Sequence, residues 1–357
     1  KALNEITKAV NFINDKVNTG DIEAAVAALN FADKAMSDIA TSTLPKEFET
    51  EVIKKGEDLI NEKEDFVDQT ASVIKNLQSS CLAIQGPPGT GKTWISAKVI
   101  IELLKQDKKI GISSNSHKAI NNLLKQIEDI AVKEKFVFKG VKKSSLDRET
   151  KKIEEKPPIF DQSLDYMFID EAGQVSLAGA IVLAVTAKNL ILIGDQMQLA
   201  NPIKGVHEGN SGKSCLEFLL QDNDTIPLNK GIFLKETRRL NKKICKFISE
   251  SFYESRLKPH EIAEKRKVNS KVKNFENEGI FYIPIDHQGC STSSEEEAKK
   301  IKAIYDQILE SKYTEEDDNG KMISGVIKHN NIMTIAPFNV QVGRLIKELG
   351  EKAKVGT

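Results

Sequence analysis

Eight consecutive residues of this chain have the types and the spacing of a phosphate-binding loop. A glycine is followed by four residues and then by Gly-Lys-Thr, in the order Gly86, Pro87, Pro88, Gly89, Thr90, Gly91, Lys92, Thr93. The glycines allow backbone N–H groups to turn toward a phosphate, and the loop lies between a predicted strand and a predicted helix, as this motif requires. We expect Lys92 to reach the β- and γ-phosphates of ATP and the Thr93 hydroxyl to bind Mg²⁺.

Two adjacent carboxylates supply the second half of such a site. Asp170 and Glu171 follow the apolar run Tyr166–Ile169. A strand that ends in carboxylates carries them to the carboxyl edge of a parallel sheet, where ligands bind. We expect Asp170 to hold Mg²⁺ and Glu171 to orient and deprotonate the attacking water.

The elements that must position these residues alternate between strand and helix from Gln69 onward. Short apolar strands are predicted at 81–84, 109–113, 166–169 and 190–193, and helices at 94–104 and 118–130. This alternation favours an α/β fold with a parallel, helix-covered sheet. A second set of strands is predicted at 232–234, 280–283 and 332–335, and 134–165 has the composition of an insertion.

Composition excludes several classes of protein. No apolar run approaches the roughly 20 residues that span a bilayer, and the first residues are not those of a signal peptide. The four cysteines are scattered, which disfavours a zinc site or a disulfide framework. A cytoplasmic protein without a membrane partner is expected. Residues 1–70 carry 8 lysines and 15 acidic residues, so the rest of the chain has an equal excess of positive charge, which permits nucleic-acid binding.

Three stretches together resemble the superfamily 1B helicases. They are the phosphate loop, Asp170-Glu171-Ala172-Gly173-Gln174 and Gly194-Asp195-Gln196-Met197-Gln198-Leu199. The resemblance covers roughly residues 66–357, and within this family it points to the branch of the nonsense-mediated-decay helicase and the replication nuclease-helicase. The chain resembles even more closely the helicase half of bacterial proteins fused to a RecB-like nuclease, with which it shares further sequence at 115–120, 174–178 and 247–253.

The resemblance implies a role for each matching position. Gln198 would sense the γ-phosphate, and Arg239, within Leu234–Leu240, would be the arginine finger, with Arg238 as the alternative. Gln69 would read the adenine base, with an ordinary surface residue as the alternative, and Gln341 would face the nucleotide. Ser113, Ser116 and His117 would contact nucleic acid, with helix capping by Ser116 as the alternative. Arg238 stands where the family has an aromatic residue that stacks on adenine.

The resemblance also implies a P-loop NTPase with tandem RecA-like sheets. We predict a helical segment at 1–65, a first RecA-like domain at 66–230 with its insertion at about 134–165, and a second, incomplete RecA-like domain at 231–357. In the family, the strand near residue 355 leads into two further motifs, which are absent from 1–357. We therefore expect a fragment of a longer protein, and a nuclease domain is possible in that parent protein.

Three functional classes follow. The first is an ATP- and Mg²⁺-dependent helicase or translocase on single-stranded DNA or RNA, with 5′-to-3′ polarity implied by the resemblance. The second is a nucleotide-dependent switch or scaffold that binds nucleic acid without unwinding it. A nuclease is the third, but 1–357 has no convincing carboxylate–lysine nuclease motif.

Overall fold

The computed structural model of the protein describes residues 58–60, 65–142, 163–200, 210, 212–270, 272, 279–316 and 320–357. Nearly all of the predicted helical segment at 1–65, and most of the predicted insertion at 134–165, lie outside the described residues. The chain divides into two compact units, Lys1–Lys235 and Glu236–Thr357. Each unit is described by itself.

The first unit is built on a five-stranded sheet in which every neighbouring pair is parallel. Its strands are β1 (Cys81–Gln85), β2 (Ile110–Ser113), β3 (Leu164–Asp170), β4 (Ala187–Gly194) and β5 (Gly231–Phe233). Their order across the sheet is β2-β3-β4-β1-β5. The phosphate-loop strand β1 and the carboxylate strand β3 are therefore separated by β4, so the carboxyl ends of all three open at neighbouring points of one edge.

Helices supply the rest of the first unit. They are α1 (Phe66–Lys75), α2 (Lys92–Leu104), α3 (His117–Lys133), α4 (Leu177–Ala184) and α5 (Cys215–Leu220), with a 3-10 turn at Ala172–Gln174. In α3 the buried residues follow helical spacing, at Leu123, Ile127, Ile130 and Ala131, so one stripe faces the core. The α/β P-loop fold predicted for this region is confirmed.

Both faces of the sheet are buried, which explains why its strands are apolar without alternation. Leu82 and Ile84 of β1 join a core formed with α1, α2 and α3. Ala83, between them on the opposite face, is also buried. Because helices cover both sides, the polar side chains at the strand ends are the ones left to form a site.

The second unit combines two parallel strand pairs with a three-stranded antiparallel sheet. Its helices are α6 (Lys242–Phe252), α7 (Glu261–Glu264), α8 (Glu295–Ile308) and α9 (Asn339–Leu349), with a 3-10 turn at His329–Asn331. Its strands are β6 (Glu236–Thr237), β7 (Lys258–Pro259), β8 (Lys267–Asn269), β9 (Lys312–Glu316), β10 (Met322–Val326), β11 (Met333–Ile335) and β12 (Lys354–Gly356). The pair β11–β12 is parallel, and α8 packs on α9 around Ala298, Tyr305 and Leu345.

One strand prediction for this region is wrong, and another predicted strand belongs to the sheet of the first unit. The strand predicted at 232–234 is present as β5, but it pairs with β1 in the first sheet, whereas the sequence predicts a second domain from residue 231. The absence of a side chain at Gly231 permits this pairing, since a Cβ there would lie 2.6 Å from the Ala83 carbonyl oxygen. The segment 280–283 is not a strand among the described residues, and Tyr282 is largely exposed. Apolar β-branched and aromatic residues need a partner strand before they form a ladder.

In the described part of the chain, no helix combines the length and the apolar character that crossing a membrane requires.

Candidate nucleotide site

The loop between β1 and α2 takes its shape from its glycines and its threonine. Gly89 and Gly91 have φ angles of +78° and +82°, a region that glycine enters without steric cost. The Pro87 carbonyl accepts hydrogen bonds from the Thr90 N–H (3.3 Å) and the Thr90 hydroxyl (2.8 Å). The loop therefore closes on itself and turns the chain into α2 within six residues, 86–91.

The first turn of α2 differs from that of most helices in the described chain. Asp, Ser or Asn side chains cap six of them, at Asp65, Ser116, Ser176, Ser214, Asn241 and Ser294. At the start of α2 stands Gly91, which has no side chain to accept a bond. The N–H groups of a helix's first turn need an acceptor and favour negative charge, so this turn suits a phosphate.

Lys92 lies across the loop. Its Nζ donates to the Gly86 carbonyl oxygen at 2.5 Å, and a Cβ placed on Gly86 would come within 2.3 Å of the Lys92 Cγ. Any larger residue at 86 would displace the lysine stem. The positive charge is thus held over the loop whose shape and helix end favour an anion.

Asp170 and Glu171 lie at the end of β3, as the sequence predicts. Asp170 is only 4% exposed, and its Oδ1 accepts the Glu171 N–H at 3.0 Å. Burial, together with the neighbouring charge of Glu171, raises the pKa of Asp170 to about 6, although the hydrogen bond from the Glu171 N–H and the charge of Lys92 oppose this rise. Glu171 adopts a left-handed φ of +54°, which turns the chain sharply at the strand end.

The residues present fit a magnesium ion. Mg²⁺ prefers oxygen ligands and is commonly held by one or two carboxylates and phosphate oxygens. The Asp170 carboxylate is an oxygen donor whose ionised form is disfavoured by burial, and a bound cation would offset that cost. Thr93, in the first turn of α2, supplies a half-buried hydroxyl.

The loop after β4 carries the residues expected to sense the γ-phosphate. Asp195 is buried, and its Oδ2 accepts the Gln198 Nε2–H at 2.9 Å while its Oδ1 accepts the Met197 N–H at 3.3 Å. Because β4 lies between β1 and β3, this loop emerges between the phosphate loop and the two carboxylates. Gln198 is held at that edge by Asp195.

Two glycines allow the carboxylate turn and the β4 loop to touch. A Cβ on Gly173 would lie 2.5 Å from the Asp195 carbonyl oxygen, and a Cβ on Gly194 would lie 2.7 Å from the Ala172 nitrogen. These distances are shorter than any side chain tolerates. The sequence motifs contain both glycines but do not predict their steric role, because that role depends on contacts between segments that are distant in the sequence.

Gln85 is a site residue that sequence reasoning missed. This amide ends the otherwise apolar strand β1, directly before Gly86, and it is fully buried. Its Nε2 donates to the Gln196 Oε1 at 3.0 Å, across to the β4 loop. The sequence does contain a signal for this residue, because a polar side chain directly follows the apolar run 81–84 of a predicted buried strand.

The three candidate nucleic-acid residues lie around the start of α3. Ser113 ends β2 and His117 is the exposed first residue of the helix. The Ser116 hydroxyl accepts the Ala119 N–H at 3.3 Å, so this residue caps α3. Asn115, between them, donates its amide to the Gln174 carbonyl oxygen, which links this loop to the carboxylate turn.

Two further predicted residues, Gln69 and Arg239, have hydrogen-bond partners within their own segments. Gln69 is on α1, and its amide donates to the Asp65 carbonyl oxygen at 3.4 Å within the same helix. Arg239, in the second unit, has an exposed side chain. Its backbone N–H donates to the Thr237 hydroxyl at 3.2 Å. The roles expected for both residues stay predictions.

Gln341, on α9, has partners other than a nucleotide. Its side chain is 4% exposed. The Oε1 accepts from the Ser293 hydroxyl (2.9 Å) and the Ser294 N–H (3.0 Å), and the Nε2 donates to the Ser294 carbonyl (3.0 Å). These bonds join α9 to the start of α8, and a nucleotide-facing role for Gln341 stays a prediction.

Comparisons with known proteins extend across both units. A family model described as an AAA domain matches residues 69–203, and a second model with the same description matches residues 212–356. The chain is 28% identical over 316 residues to the RecBCD enzyme subunit RecD of Buchnera aphidicola subsp. Schizaphis graminum, covering 75% of this chain and 48% of that protein.

Two eukaryotic relatives are similar as well. The chain is 22% identical over 357 residues to the DNA polymerase alpha-associated DNA helicase A of Schizosaccharomyces pombe, covering 77% of this chain and 53% of that protein. It is 27% identical over 178 residues to the DNA replication ATP-dependent helicase/nuclease JHS1 of Arabidopsis thaliana, covering 42% of this chain and 13% of that protein. The chain thus spans about half, or less, of the length of these relatives. With two AAA domain models in tandem and these proteins as its relatives, the chain belongs to the superfamily 1 helicases.

Proposed function

We propose that this chain is the ATP-hydrolysing part of a helicase or translocase that acts on single-stranded nucleic acid. One observation carries the proposal: the phosphate loop, the carboxylates Asp170 and Glu171, and the Asp195–Gln198 loop emerge from three adjacent parallel strands. Membership of the superfamily 1 helicases and the names of the relatives support action on nucleic acid. The relatives' names include a DNA helicase and a helicase/nuclease.

Each residue has a part that its chemistry suits. Lys92 and the first turn of α2 would bind the phosphates, and the Asp170 carboxylate with the Thr93 hydroxyl would hold Mg²⁺. When bound, Mg²⁺ neutralises charge on the β- and γ-phosphates. Glu171 would orient the attacking water and accept its proton.

Gln198 and Arg239 have the remaining parts, which the family resemblance implies. Gln198, held by Asp195 at 2.9 Å, would contact the γ-phosphate. Arg239 would supply an arginine finger, since a guanidinium keeps its charge and can bond two oxygens at once. Ser113 and His117, together with Ser116, are proposed to contact the sugar–phosphate backbone, which positions a strand without reading its sequence.

The test compares two lysines of the same helix. Lys92→Ala should abolish ATP hydrolysis stimulated by single strands, because the phosphates lose their main positive partner. Lys98→Ala is the control, since Lys98 also lies on α2 but pairs with Glu134 at 2.7 Å, and it should keep wild-type turnover. Equal turnover in the wild type and Lys92→Ala would refute the assignment of the site.

Glu171→Gln separates binding from chemistry. This variant should still bind ATP with Mg²⁺ but hydrolyse it slowly, because the base is removed and Asp170 is kept. Loss of nucleotide binding as severe as the loss of turnover would assign Glu171 a structural role. Strand-stimulated ATPase without strand displacement would favour the alternative of a nucleotide-dependent switch.

A further inference from the structure

Gln85 is a buried amide whose two ends are both hydrogen bonded. Its side chain is 0% exposed. The Oε1 accepts the Ile226 N–H at 2.7 Å, and the Nε2 donates to the Gln196 Oε1 and the Asp224 carbonyl, each at 3.0 Å. A buried amide that loses such partners is left unsatisfied, which costs far more than the bond contributes when it is made.

These bonds connect the phosphate loop with two other segments. Gln196 follows Asp195 directly, and its own Nε2 also donates to the Asp224 carbonyl, at 2.8 Å. The Gln85 backbone carbonyl accepts the Leu234 N–H at 2.9 Å, one residue after β5. A single residue next to Gly86 therefore holds both the loop that carries Gln198 and the strand that leads toward residue 236.

We propose that Gln85 is a positioning residue for ATP hydrolysis. It fixes the Asp195–Gln198 loop against the phosphate loop through Gln196, so that Gln198 is correctly placed when the phosphates bind. The inference rests on the function proposed above and adds to it a residue that acts through another one. Gln85 lies in a buried strand and its side chain is hydrogen bonded to other protein groups. The residue therefore affects the rate of turnover and does not contact the nucleotide.

The experiment uses a matched pair of buried amides in the same sheet. Gln85→Leu keeps the approximate volume and removes every side-chain hydrogen bond. Asn189→Leu is the control, because Asn189 is also buried, accepts the Ser80 N–H and donates to the Asp165 carbonyl, both at 3.2 Å. It lies near the amino end of β4, away from the strand ends that form the site. Measurements on the 357-residue protein are the melting temperature, the dissociation constant for ADP with Mg²⁺ by calorimetry, and kcat for ATP.

Gln85→Leu should lower kcat about tenfold and leave the ADP dissociation constant within about threefold of wild type, as expected when one buried bond that orients a catalytic loop is lost. Asn189→Leu should melt earlier than wild type but keep kcat. Gln196→Leu removes the same bond from the half-buried side. It should repeat the effect on kcat if Gln85→Leu does not fold, and in the double variant the two effects should not add.

Three results would overturn the inference. They are wild-type kcat in Gln85→Leu or in a folded Gln196→Leu, an ADP affinity that falls as much as kcat, and an equal loss of kcat in Asn189→Leu. A wild-type protein that neither binds ADP nor hydrolyses ATP is a different failure, since it refutes the proposed function itself and this inference with it.

Discussion

Replacing Asp170 by Asn should make the nucleotide-free protein more stable while removing its ability to bind Mg²⁺. The carboxylate is 4% exposed at the end of β3 and lies beside the charge of Glu171. Its ionised form is therefore disfavoured in the folded protein compared with the unfolded chain. An amide of the same shape avoids that cost and can still accept the Glu171 N–H.

The magnitude follows from the pKa. Burial and the charge of Glu171 raise the pKa of Asp170 from 3.8 to about 6. Since a difference of one pKa unit corresponds to about 1.4 kcal/mol, ionised Asp170 lowers the free energy of unfolding by about 3 kcal/mol above pH 6. The sign is fixed by proton binding: between these pKa values the folded protein holds a proton that the unfolded chain has released. Stability is therefore lost as the pH rises from about 4 to about 6.

Urea unfolding monitored by tryptophan fluorescence measures this effect. Trp94 is the only tryptophan of the chain and lies on α2, in the first unit. Asp170→Asn should unfold at a higher urea concentration than wild type at about pH 8, and the two should converge at about pH 4. Addition of ADP with Mg²⁺ should stabilise the wild type and have a smaller effect on the variant.

Asp165 on the same strand provides a control of opposite sign. The Lys109 N–H, at 2.9 Å, and the ammonium group of Lys188, also at 2.9 Å, lower the pKa of Asp165. Asp165→Asn should therefore lose stability at about pH 8 and approach wild type as the pH falls through the lowered pKa. An Asp170→Asn variant that is no more stable than wild type at about pH 8, or whose advantage persists at about pH 4, would refute the reasoning from burial.

Three shorter predictions concern packing and binding. Gly173→Ala should lower the melting temperature and the ATPase rate together, because the added methyl group would clash with the Asp195 carbonyl oxygen. The control is Gly343→Ala on α9, where a Cβ meets no other atom; it should be neutral or stabilise the protein by up to about 1 kcal/mol in thermal melts. Trp94 is 46% exposed two residues after Lys92, so its fluorescence should change when ADP with Mg²⁺ binds, and an unchanged spectrum at saturation would contradict a nucleotide at this loop. Gln341→Leu should lower the melting temperature through lost bonds to the start of α8. Its dissociation constant for ADP tests the nucleotide-facing role that the resemblance implies: a weakened affinity would support that role, and an unchanged affinity would contradict it.

Local pattern was enough to predict the chemical groups of the candidate site. A phosphate loop is a continuous segment, and its glycines and lysine act on one ligand within eight residues, 86–93. Strand β3 and its carboxylates were equally readable, because a buried parallel strand is a short apolar run and its carboxyl end is the functional end. The strands β1 to β4 were predicted for the same reason and are confirmed.

The remaining features were decided by tertiary structure. An apolar segment of three residues can join either of two sheets, and β5 joins the first because Gly231 permits close contact with β1. The hydrogen bond between the side-chain amides of Gln85 and Gln196 joins residues 111 positions apart, so no local pattern predicts it. Gly173 and Gly194 are required only because two loops meet there. Periodicity and spacing indicate what a segment buries, but they do not indicate which distant backbone it contacts, and those contacts set the positions of the candidate site residues.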